Sequence, residues 1–146
     1  MAEHSVELVI RRASRDDPLE HLIDAVLARA RSVRGGEALL EQLWGPEISP
    51  TALHEAIRAT VDQGVLWIAE RDGGVVAAAL VRDRCVQAIW VEPAYRRRHI
   101  ATILLDALLD AQDFPVDAWA LPGDRATKSL YESVGWKARL LTMRGV

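Results

Sequence analysis

The sequence has 146 residues, of which 50% are hydrophobic and 27% are charged, and its formal net charge at pH 7 is −3. This length predicts a single domain over residues 1–146, and this balance is typical of a folded soluble protein. A general nucleic-acid-binding protein would carry an excess of basic residues, whereas this chain is acidic. No apolar run reaches membrane-spanning length, and the lone cysteine, Cys85, excludes an intramolecular disulfide. We therefore expect a cytoplasmic protein that binds neither nucleic acid nor membrane.

The first half of the chain predicts one strand followed by helices. Residues 5–13 carry the β-branched side chains that strands favour. Three helices are expected after this strand, over residues 19–34, 37–43 and 50–63. The first is amphipathic and ends before two glycines, and the third begins at Ser49 and Pro50, a capping residue followed by a proline suited to a first turn.

The second half predicts a sheet that helices interrupt. Strands are expected over residues 65–70, 75–81, 85–91, 116–121 and 136–143. Helices separate the last three, one from about His99 to Gln112 and one from Asp124 to Ser133. Strand, helix and strand of these lengths form a crossover, so the strands on either side of the first of these helices should be parallel. The expected fold class is therefore α/β with a mixed sheet.

The helix at His99 begins with an unusual charge. Helix N-termini prefer acidic side chains, because unpaired N–H groups and the helix dipole make that end partly positive. Three arginines, at residues 96–98, stand at this end instead. A strand-to-helix turn directs several free N–H groups at one point, and guanidinium groups bind phosphate in bidentate fashion. The turn is therefore a candidate anion site, and phosphate is the natural candidate.

Solvated arginines that the helix merely tolerates are the alternative interpretation. An isolated run of three arginines would favour that alternative, because short basic motifs often mislead. The position of this run at a strand-to-helix turn, in a protein of net negative charge, favours the anion site.

Two blocks of the sequence resemble motifs of the GNAT N-acetyltransferase superfamily. The first family motif is roughly V-x-P-x-x-[R/Q]-x-x-G-x-[G/A], and the chain has Val91, Pro93, Arg96, His99 and Ala101 at these places. The second block, GDRATKSLYESVGW, is similar to the motif N-x-x-A-x-x-L-Y-x-x-x-G-F. Its matching residues are Asp124, Ala126, Leu130, Tyr131, Gly135 and Trp136. Two blocks in the right order, separated by one strand, are more specific than either alone.

The resemblance implies a fold and a cofactor. The fold would be a mixed, mostly antiparallel central sheet flanked by helices, in which the parallel strands containing Val91 and Trp119 splay apart around acyl-CoA. N–H groups of residues 97–102 would hold the CoA pyrophosphate, and the strand around Trp90 would bind the pantetheine arm. The implied cofactor-binding residues are Trp90, Val91, Arg96, Arg97, Arg98, His99, Ile100, Ala101, Thr102 and Asp124. The implied co-substrate is acetyl-CoA, and no metal is implied.

The resemblance also implies a reaction, the direct transfer of acetyl from acetyl-CoA to a primary amine. The amine would attack the thioester, a backbone N–H near Val91 would stabilise the oxyanion, and Tyr131 would protonate the departing thiolate. The leading alternative is a CoA-binding regulatory or interaction module that has lost turnover. An acetyltransferase directed at nucleic acid is a weaker alternative, because the chain is acidic.

Three features depart from the family pattern. His99 stands where glycine is usual, which costs energy if the backbone has positive φ but not if it is helical. Asp124 replaces an asparagine, although aspartate caps a helix well. The strand positions that often carry a catalytic glutamate hold Cys85 or Gln87 and Trp119, so the amine proton would pass to bulk buffer or to water relayed by Glu70, Asp83 or Asp117. Minor alternatives are His99 as the base and Cys85 as an acyl carrier.

The sequence leaves the amine acceptor and the oligomeric state open. Trp44 lies where relatives build their acceptor site, and it is either a pocket residue or part of the core. Nearby glutamates would favour a cationic acceptor or would simply be solvated; they are Glu37, Glu41 and Glu47. Only ten residues follow Trp136, fewer than the two strands with which relatives commonly end, so we expect an exposed sheet edge to pair in a homodimer.

Overall fold

The computed structural model describes residues 7–45, 49–96, 98–113, 115–121 and 124–141, together with residues 143 and 145. The strands are β1 (Val9–Arg12), β2 (Leu66–Arg71), β3 (Gly74–Arg82), β4 (Cys85–Val91) and β5 (Asp117–Ala118). The α-helices are α1 (Glu20–Ser32), α2 (Gly36–Trp44), α3 (Pro50–Asp62), α4 (Ile100–Asp110) and α5 (Arg125–Ser133), and a short 3-10 helix covers Pro93–Tyr95. Each helix therefore begins and ends within two residues of its predicted bounds.

The five strands form one sheet in the order β1-β2-β3-β4-β5. The first four are antiparallel to their neighbours, and in the β3–β4 pair Ala78 lies opposite Trp90. β4 and β5 run parallel, with Cys85 opposite Asp117. The predicted α/β class, a mostly antiparallel sheet with one parallel pair and flanking helices, is confirmed.

Helices cover both faces of the sheet, and β3 is consequently buried along most of its length. On one face, α1 and α3 pack on β3 through Leu22, Ile23, Leu53 and Ile57. On the other face, α4 and α5 pack through Leu104, Leu105, Leu108 and Tyr131. Each fully buried leucine adds about 1.5–3 kcal/mol to the free energy of unfolding, which explains why the apolar periodicity of these helices was predictive. Within the described ranges, no helix is long and apolar enough to cross a membrane.

Two predicted strands differ from the structure. β5 is shorter than the predicted strand over residues 116–121, because the chain leaves β4 after the Trp119 N–H donates to the Val86 carbonyl at 3.0 Å. The last strand, predicted over residues 136–143, is wrong: residues 136–141 form no strand, and Leu140 and Leu141 are 88% and 68% exposed. β5, the edge strand, has only two residues, and this is too few backbone hydrogen-bonding groups to hold a further strand beside it. The first predicted strand is present as β1, and its first two residues lie outside the described part of the chain.

The turn between β1 and α1 is built around Asp17. Its carboxylate accepts hydrogen bonds from Arg11 at 2.6 and 2.8 Å and from the Ser14 N–H at 2.6 Å, and Arg11 also binds Glu70 at 2.9 Å. The Arg11 hydrogen bonds are the main reason why the pKa of the buried Asp17 falls to about 2. Since this carboxylate is committed to the turn, α1 begins at Glu20 without a side-chain cap.

Candidate functional site

The parallel strand pair opens at its C-terminal end. β4 and β5 pair only at Cys85 with Asp117 and at Val86 with Ala118. Beyond this point residues 119–121 diverge from β4, so that in the described part of the chain Ile89 and the residues after it have no strand neighbour on that side. Two cavities meet in the gap.

The first cavity, which we call the turn cavity, has a volume of about 370 Å³. It lies between the end of β4, the turn before α4 and the first turns of α5. Eight of the ten predicted cofactor-binding residues line it, namely Trp90, Val91, Arg96, His99, Ile100, Ala101, Thr102 and Asp124. Of the other two, Arg98 places its guanidinium 5.5 Å from the ring centre of Tyr95, which lines the cavity, and Arg97 lies outside the described residues.

The first turn of α4 has backbone N–H groups with no acceptor inside the helix. The first helical hydrogen bond runs from the Ile103 N–H to the His99 carbonyl at 3.0 Å, which leaves the N–H groups of residues 100–102 free of helical partners. The side chain of His99 does not cap them. Arg96 donates from Nε to the Val91 carbonyl at 3.1 Å and so holds a positive charge at the end of β4. Amide groups, helix dipole and guanidinium together suit this turn to an anion.

His99 adopts the left-handed conformation, with φ 60° and ψ 15°. The backbone therefore has positive φ at this position rather than a helical conformation, and His99 occupies a geometry that favours glycine. A non-glycine residue there costs about 1–2 kcal/mol. The imidazole is exposed and makes no cap, so the strain comes from the path of the backbone into α4 rather than from a contact of the ring.

Tyr131 lies in α5 and is only 6% exposed. Its ring stacks on Trp136, with 5.3 Å between ring centres and 10° between planes. The pKa of Tyr131 is raised well above its usual range, mainly by burial and to a smaller extent by the negative charges of Cys85 and Asp124. No described group forms a hydrogen bond with the hydroxyl, and Tyr131 is not among the described residues that line either cavity. Its assignment as the acid therefore stays a prediction.

The second cavity, which we call the apolar cavity, has a volume of about 130 Å³. It lies between α1, α2 and the diverging ends of β4 and β5, and its apolar walls include Leu39, Leu43, Trp44, Ala88, Trp90 and Trp119. The residues that it shares with the turn cavity are Arg29, Ile89, Trp90, Asp124 and Thr127. The two cavities are therefore adjacent and meet beside β4.

Arg29 and Asp124 form an ion pair in the wall common to both cavities. Arg29 donates to the Asp124 carboxylate at 2.8 Å. The same carboxylate caps α5 by accepting from the Thr127 N–H at 3.2 Å and from its hydroxyl at 2.8 Å. Burial alone would raise the pKa of Asp124, but these hydrogen bonds outweigh it and the net effect is to lower that pKa. Arg29 was not predicted as a site residue, although its place seven residues after Leu22 sets both on one face of α1.

The strand positions considered for a base carry no carboxylate that reaches the cavities. Gln87 lines the apolar cavity and accepts from Arg82 Nε at 3.0 Å, and Trp119 lines it as well. Cys85 is 5% exposed, and burial, followed by the charges of two nearby aspartates, raises its pKa to about 11. A thiol with this pKa stays protonated, which disfavours an acyl carrier. The candidates for relaying water, Glu70, Asp83 and Asp117, are not among the described lining residues.

The predicted acceptor residues divide between the cavity and solvent. Trp44 lines the apolar cavity, and its indole N–H is buried without a hydrogen-bond partner among the described residues. Glu37 and Glu41 are exposed on α2 and do not line the cavity, and Glu47 lies outside the described residues. Among the described residues, no group of three or more histidine, cysteine, aspartate or glutamate side chains is placed to hold a metal ion.

A family model described as the Acetyltransferase (GNAT) domain matches residues 62–138, which is just over half of the chain. The match contains β3, β4, α4 and α5, and so every described residue that lines the turn cavity except Arg29 of α1. We found no curated protein whose sequence matches that of the chain.

Solved structures with the same fold cover nearly the whole chain. The aminoglycoside N-acetyltransferase AAC(6')-Iy in complex with CoA aligns with a TM-score of 0.62 and 16% identity over 99% of both chains. AAC(6')-Ih from Acinetobacter baumannii aligns with a TM-score of 0.58 and 19% identity over 96% of this chain and 99% of its own. A predicted acetyltransferase with acetyl-CoA from Clostridium acetobutylicum aligns with a TM-score of 0.57 and 18% identity over 94% of this chain and 96% of its own. At these identities the likeness is one of fold.

Proposed function

The chain belongs to the GNAT acetyltransferase family, and we propose that it acetylates a primary amine with acetyl-CoA where its two cavities meet. The family match confirms the enzyme class that the sequence predicted, an N-acetyltransferase that uses acetyl-CoA. The observation that carries the assignment of the site is the placement of the motif residues around the turn cavity, directly beside a second cavity.

The turn cavity is proposed to hold the pyrophosphate of CoA. The N–H groups of residues 100–102 have no helical acceptor, and the helix dipole makes this end of α4 positive. Arg96 lines the turn cavity, and the Arg98 guanidinium lies over the ring of Tyr95, which also lines it. Each charge-assisted hydrogen bond to phosphate is worth about 1.5–3 kcal/mol, so a few of them account for micromolar affinity.

The pantetheine arm is proposed to lie along the free edge of β4. After Val86 this edge has no strand neighbour in the described chain, whereas the other edge of β4 pairs with β3. An extended arm that carries amides can take the place of a strand there, as peptides do at sheet edges. This path leads from the turn towards Trp90 and brings the thioester to the boundary between the cavities.

The proposed reaction is direct acyl transfer. A neutral amine nitrogen forms a bond to the acetyl carbon, the carbon–sulfur bond breaks, and a backbone N–H near Val91 stabilises the charge on the carbonyl oxygen. The amine loses a proton to water, and the CoA sulfur gains one from Tyr131 or from water. The products are an acetylated amine and free CoA thiol.

A CoA-binding module without turnover is the second candidate. It is favoured by one observation: the single carboxylate among the described residues of the shared wall, Asp124, is already bound to Arg29 and to Thr127. A lowered pKa also makes it a weak base. Release of free thiol from acetyl-CoA in the presence of an amine separates this candidate from the enzyme.

A cytoplasmic homodimer is the proposed state of the protein. The lone Cys85 is a free thiol, which suits a reducing compartment. β5 is an edge strand, and Leu140, Leu141 and Met143 beyond α5 are exposed, as is expected of a surface that a second copy covers. Light scattering at micromolar concentration should give the mass of two chains, and the mass of one chain would contradict the dimer.

Calorimetric titration with acetyl-CoA tests the cofactor site. Binding to the wild-type protein is expected, and Arg96→Glu should weaken it by about tenfold or more through loss of a charge-assisted contact. Arg34→Glu makes the same change of charge at an exposed position that does not line the turn cavity, and its affinity should stay within about twofold. An absence of heat with the wild-type protein would refute the proposed cofactor site.

A further inference from the structure

The apolar cavity has the dimensions of a small-molecule site. Its volume is about 130 Å³. An apolar cavity of about 150 Å³ in a protein interior binds benzene. The walls that face this volume come from Leu39 and Leu43 of α2, from Ala88 of β4 and from the aromatic rings of Trp44, Trp90 and Trp119. A group about the size of one aromatic ring therefore fits between them.

The polar groups in these walls are mostly satisfied by the protein itself. The Thr60 hydroxyl donates to the Ile57 carbonyl at 2.6 Å, and the Gln87 side chain accepts from Arg82. Arg29 and Asp124, the charged residues among the described lining, neutralise each other at 2.8 Å. The described walls thus offer no free carboxylate to a cationic ligand.

One fully buried side-chain polar group in the walls has no hydrogen-bond partner among the described residues. The indole N–H of Trp44 is buried from solvent, and no described group accepts its hydrogen bond. Tryptophan normally finds an acceptor when it is buried. An unpaired donor beside an apolar volume suits the face of an aromatic ring, which accepts a weak N–H···π hydrogen bond.

We propose that the acetyl acceptor is a primary amine carried on a compact, uncharged, mainly apolar body, such as an arylalkylamine, and not a polycation. This inference rests on the proposed acetyl transfer at the same site. The apolar body would occupy the cavity while its amino group reaches the boundary with the turn cavity at Ile89 and Trp90. Aminoglycosides, the acceptors named for two structural neighbours, carry several ammonium groups that these walls do not balance.

The same apolar walls provide a way to form the neutral amine that does not need a catalytic carboxylate. Removal of an ammonium from water into apolar surroundings favours its neutral form, because the charged form loses its hydration. The proton leaves to water as the amine enters, and the neutral nitrogen is the species that attacks the thioester. A second ammonium in the cavity would also have to lose its proton or keep a desolvated charge, and either cost weakens binding.

A matched pair of amines tests the proposal. Benzylamine and 4-(aminomethyl)benzylamine share one ring and differ by a second ammonium, and kanamycin represents a polycation. Titration of each amine into the CoA complex reads binding without turnover, and thiol release from acetyl-CoA reads catalysis. We expect benzylamine to bind at least about tenfold more tightly than the diamine and to exceed kanamycin in kcat/KM by about 100-fold. Equal or tighter binding of the diamine or kanamycin, or no binding of benzylamine, overturns the proposal.

The two readouts keep this proposal separate from the proposed function. Benzylamine that binds selectively to the CoA complex without thiol release would favour the CoA-binding module over turnover at this site and leave the apolar site in place. Turnover of kanamycin with no selectivity for benzylamine would support the enzyme and refute the apolar acceptor.

A charged variant of the wall provides the matched control. Leu39→Glu places a carboxylate at a half-buried lining position of α2 and should narrow the preference for benzylamine over the diamine by at least about tenfold. Ala38→Glu places the same group on the exposed side of the same helix and should leave the preference unchanged. Equal effects of the two substitutions would contradict the assignment of the cavity. If Leu39→Glu does not fold, the comparison of benzylamine, the diamine and kanamycin on the wild-type protein still tests the proposed acceptor.

Discussion

Substitution of Tyr131 by phenylalanine should separate catalysis from folding. In the described part of the free protein the Tyr131 hydroxyl has no hydrogen-bond partner, and the side chain is 6% exposed. A buried hydroxyl without a partner costs about 1–3 kcal/mol, and phenylalanine keeps the ring that stacks on Trp136. We therefore expect Tyr131→Phe to leave the free energy of unfolding unchanged or to raise it by up to about 1–3 kcal/mol.

The same substitution should lower kcat by about 10². The hydroxyl carries its proton at neutral pH and can supply it to the departing thiolate, although burial raises the pKa of Tyr131 and makes it a weaker acid than an exposed tyrosine. Because this interaction is made mainly in the transition state, the Kd for acetyl-CoA should change little. Lower activity together with equal or greater stability is not expected of a tyrosine whose role is packing.

Three measurements on the Tyr131→Phe protein test this reasoning. Thiol release at saturating substrates gives kcat, chemical denaturation gives the free energy of unfolding, and calorimetry gives the Kd. A kcat equal to that of the wild type, with chemistry shown to limit the rate, would remove Tyr131 from the mechanism. A loss of stability of more than about 1 kcal/mol would show that the hydroxyl has a partner in the free protein.

Other substitutions test the backbone and the β1–α1 turn. His99→Gly relieves a left-handed strain of about 1–2 kcal/mol but adds an entropic cost of about 0.5–1 kcal/mol, so denaturation should show a net gain in stability of about 0–1.5 kcal/mol, and a loss would contradict the strain. Asp17 has a folded pKa of about 2 against its usual 3.8, so the stability that it contributes is fully present above about pH 4 and is lost as pH falls towards 2. Acid titration of unfolding should therefore show a decrease of about 2 kcal/mol that Asp17→Asn abolishes, and an unchanged pH slope in that variant would argue against it. Ser49→Ala removes the acceptor for the Ala52 N–H at 3.0 Å and should lower stability by about 1 kcal/mol in the same assay; no change would show that the cap is dispensable.

Local chemistry explains which parts of the fold could be predicted from the sequence. The cap at Ser49 and the hairpin turn before Gly74 depend on residues close together in the chain, and both occur where the sequence placed them. β4 was predicted to the residue, because a run that is apolar except for Gln87 is bounded by polar residues before Cys85 and by Pro93 after Val91. Motif spacing likewise named most of the lining of the turn cavity, since that lining comes mainly from the end of β4, the turn into α4 and the first turns of α5, which the two motifs contain.

Features that depend on partners distant in sequence could not be predicted in this way. Residues 136–143 have a strand-like pattern, but a strand also needs a neighbour, and the length of β5 is set by its divergence from β4. The left-handed backbone of His99 follows from the geometry of the turn and not from the preference of histidine. Arg29 matters through Asp124, which lies 95 residues away, and no local motif marks such a pair.

The ion pair between Arg29 and Asp124 spans the sheet. Arg29 belongs to α1 on one face, Asp124 begins α5 on the other, and both residues line both cavities. A ligand that shifts either side chain changes the wall that the other ligand meets, so the two binding equilibria are thermodynamically linked. Such linkage is reciprocal: the factor by which acetyl-CoA changes the affinity for the amine is the factor by which the amine changes the affinity for acetyl-CoA. Coupling of this kind would need no moving domain, because a single contact lines both sites.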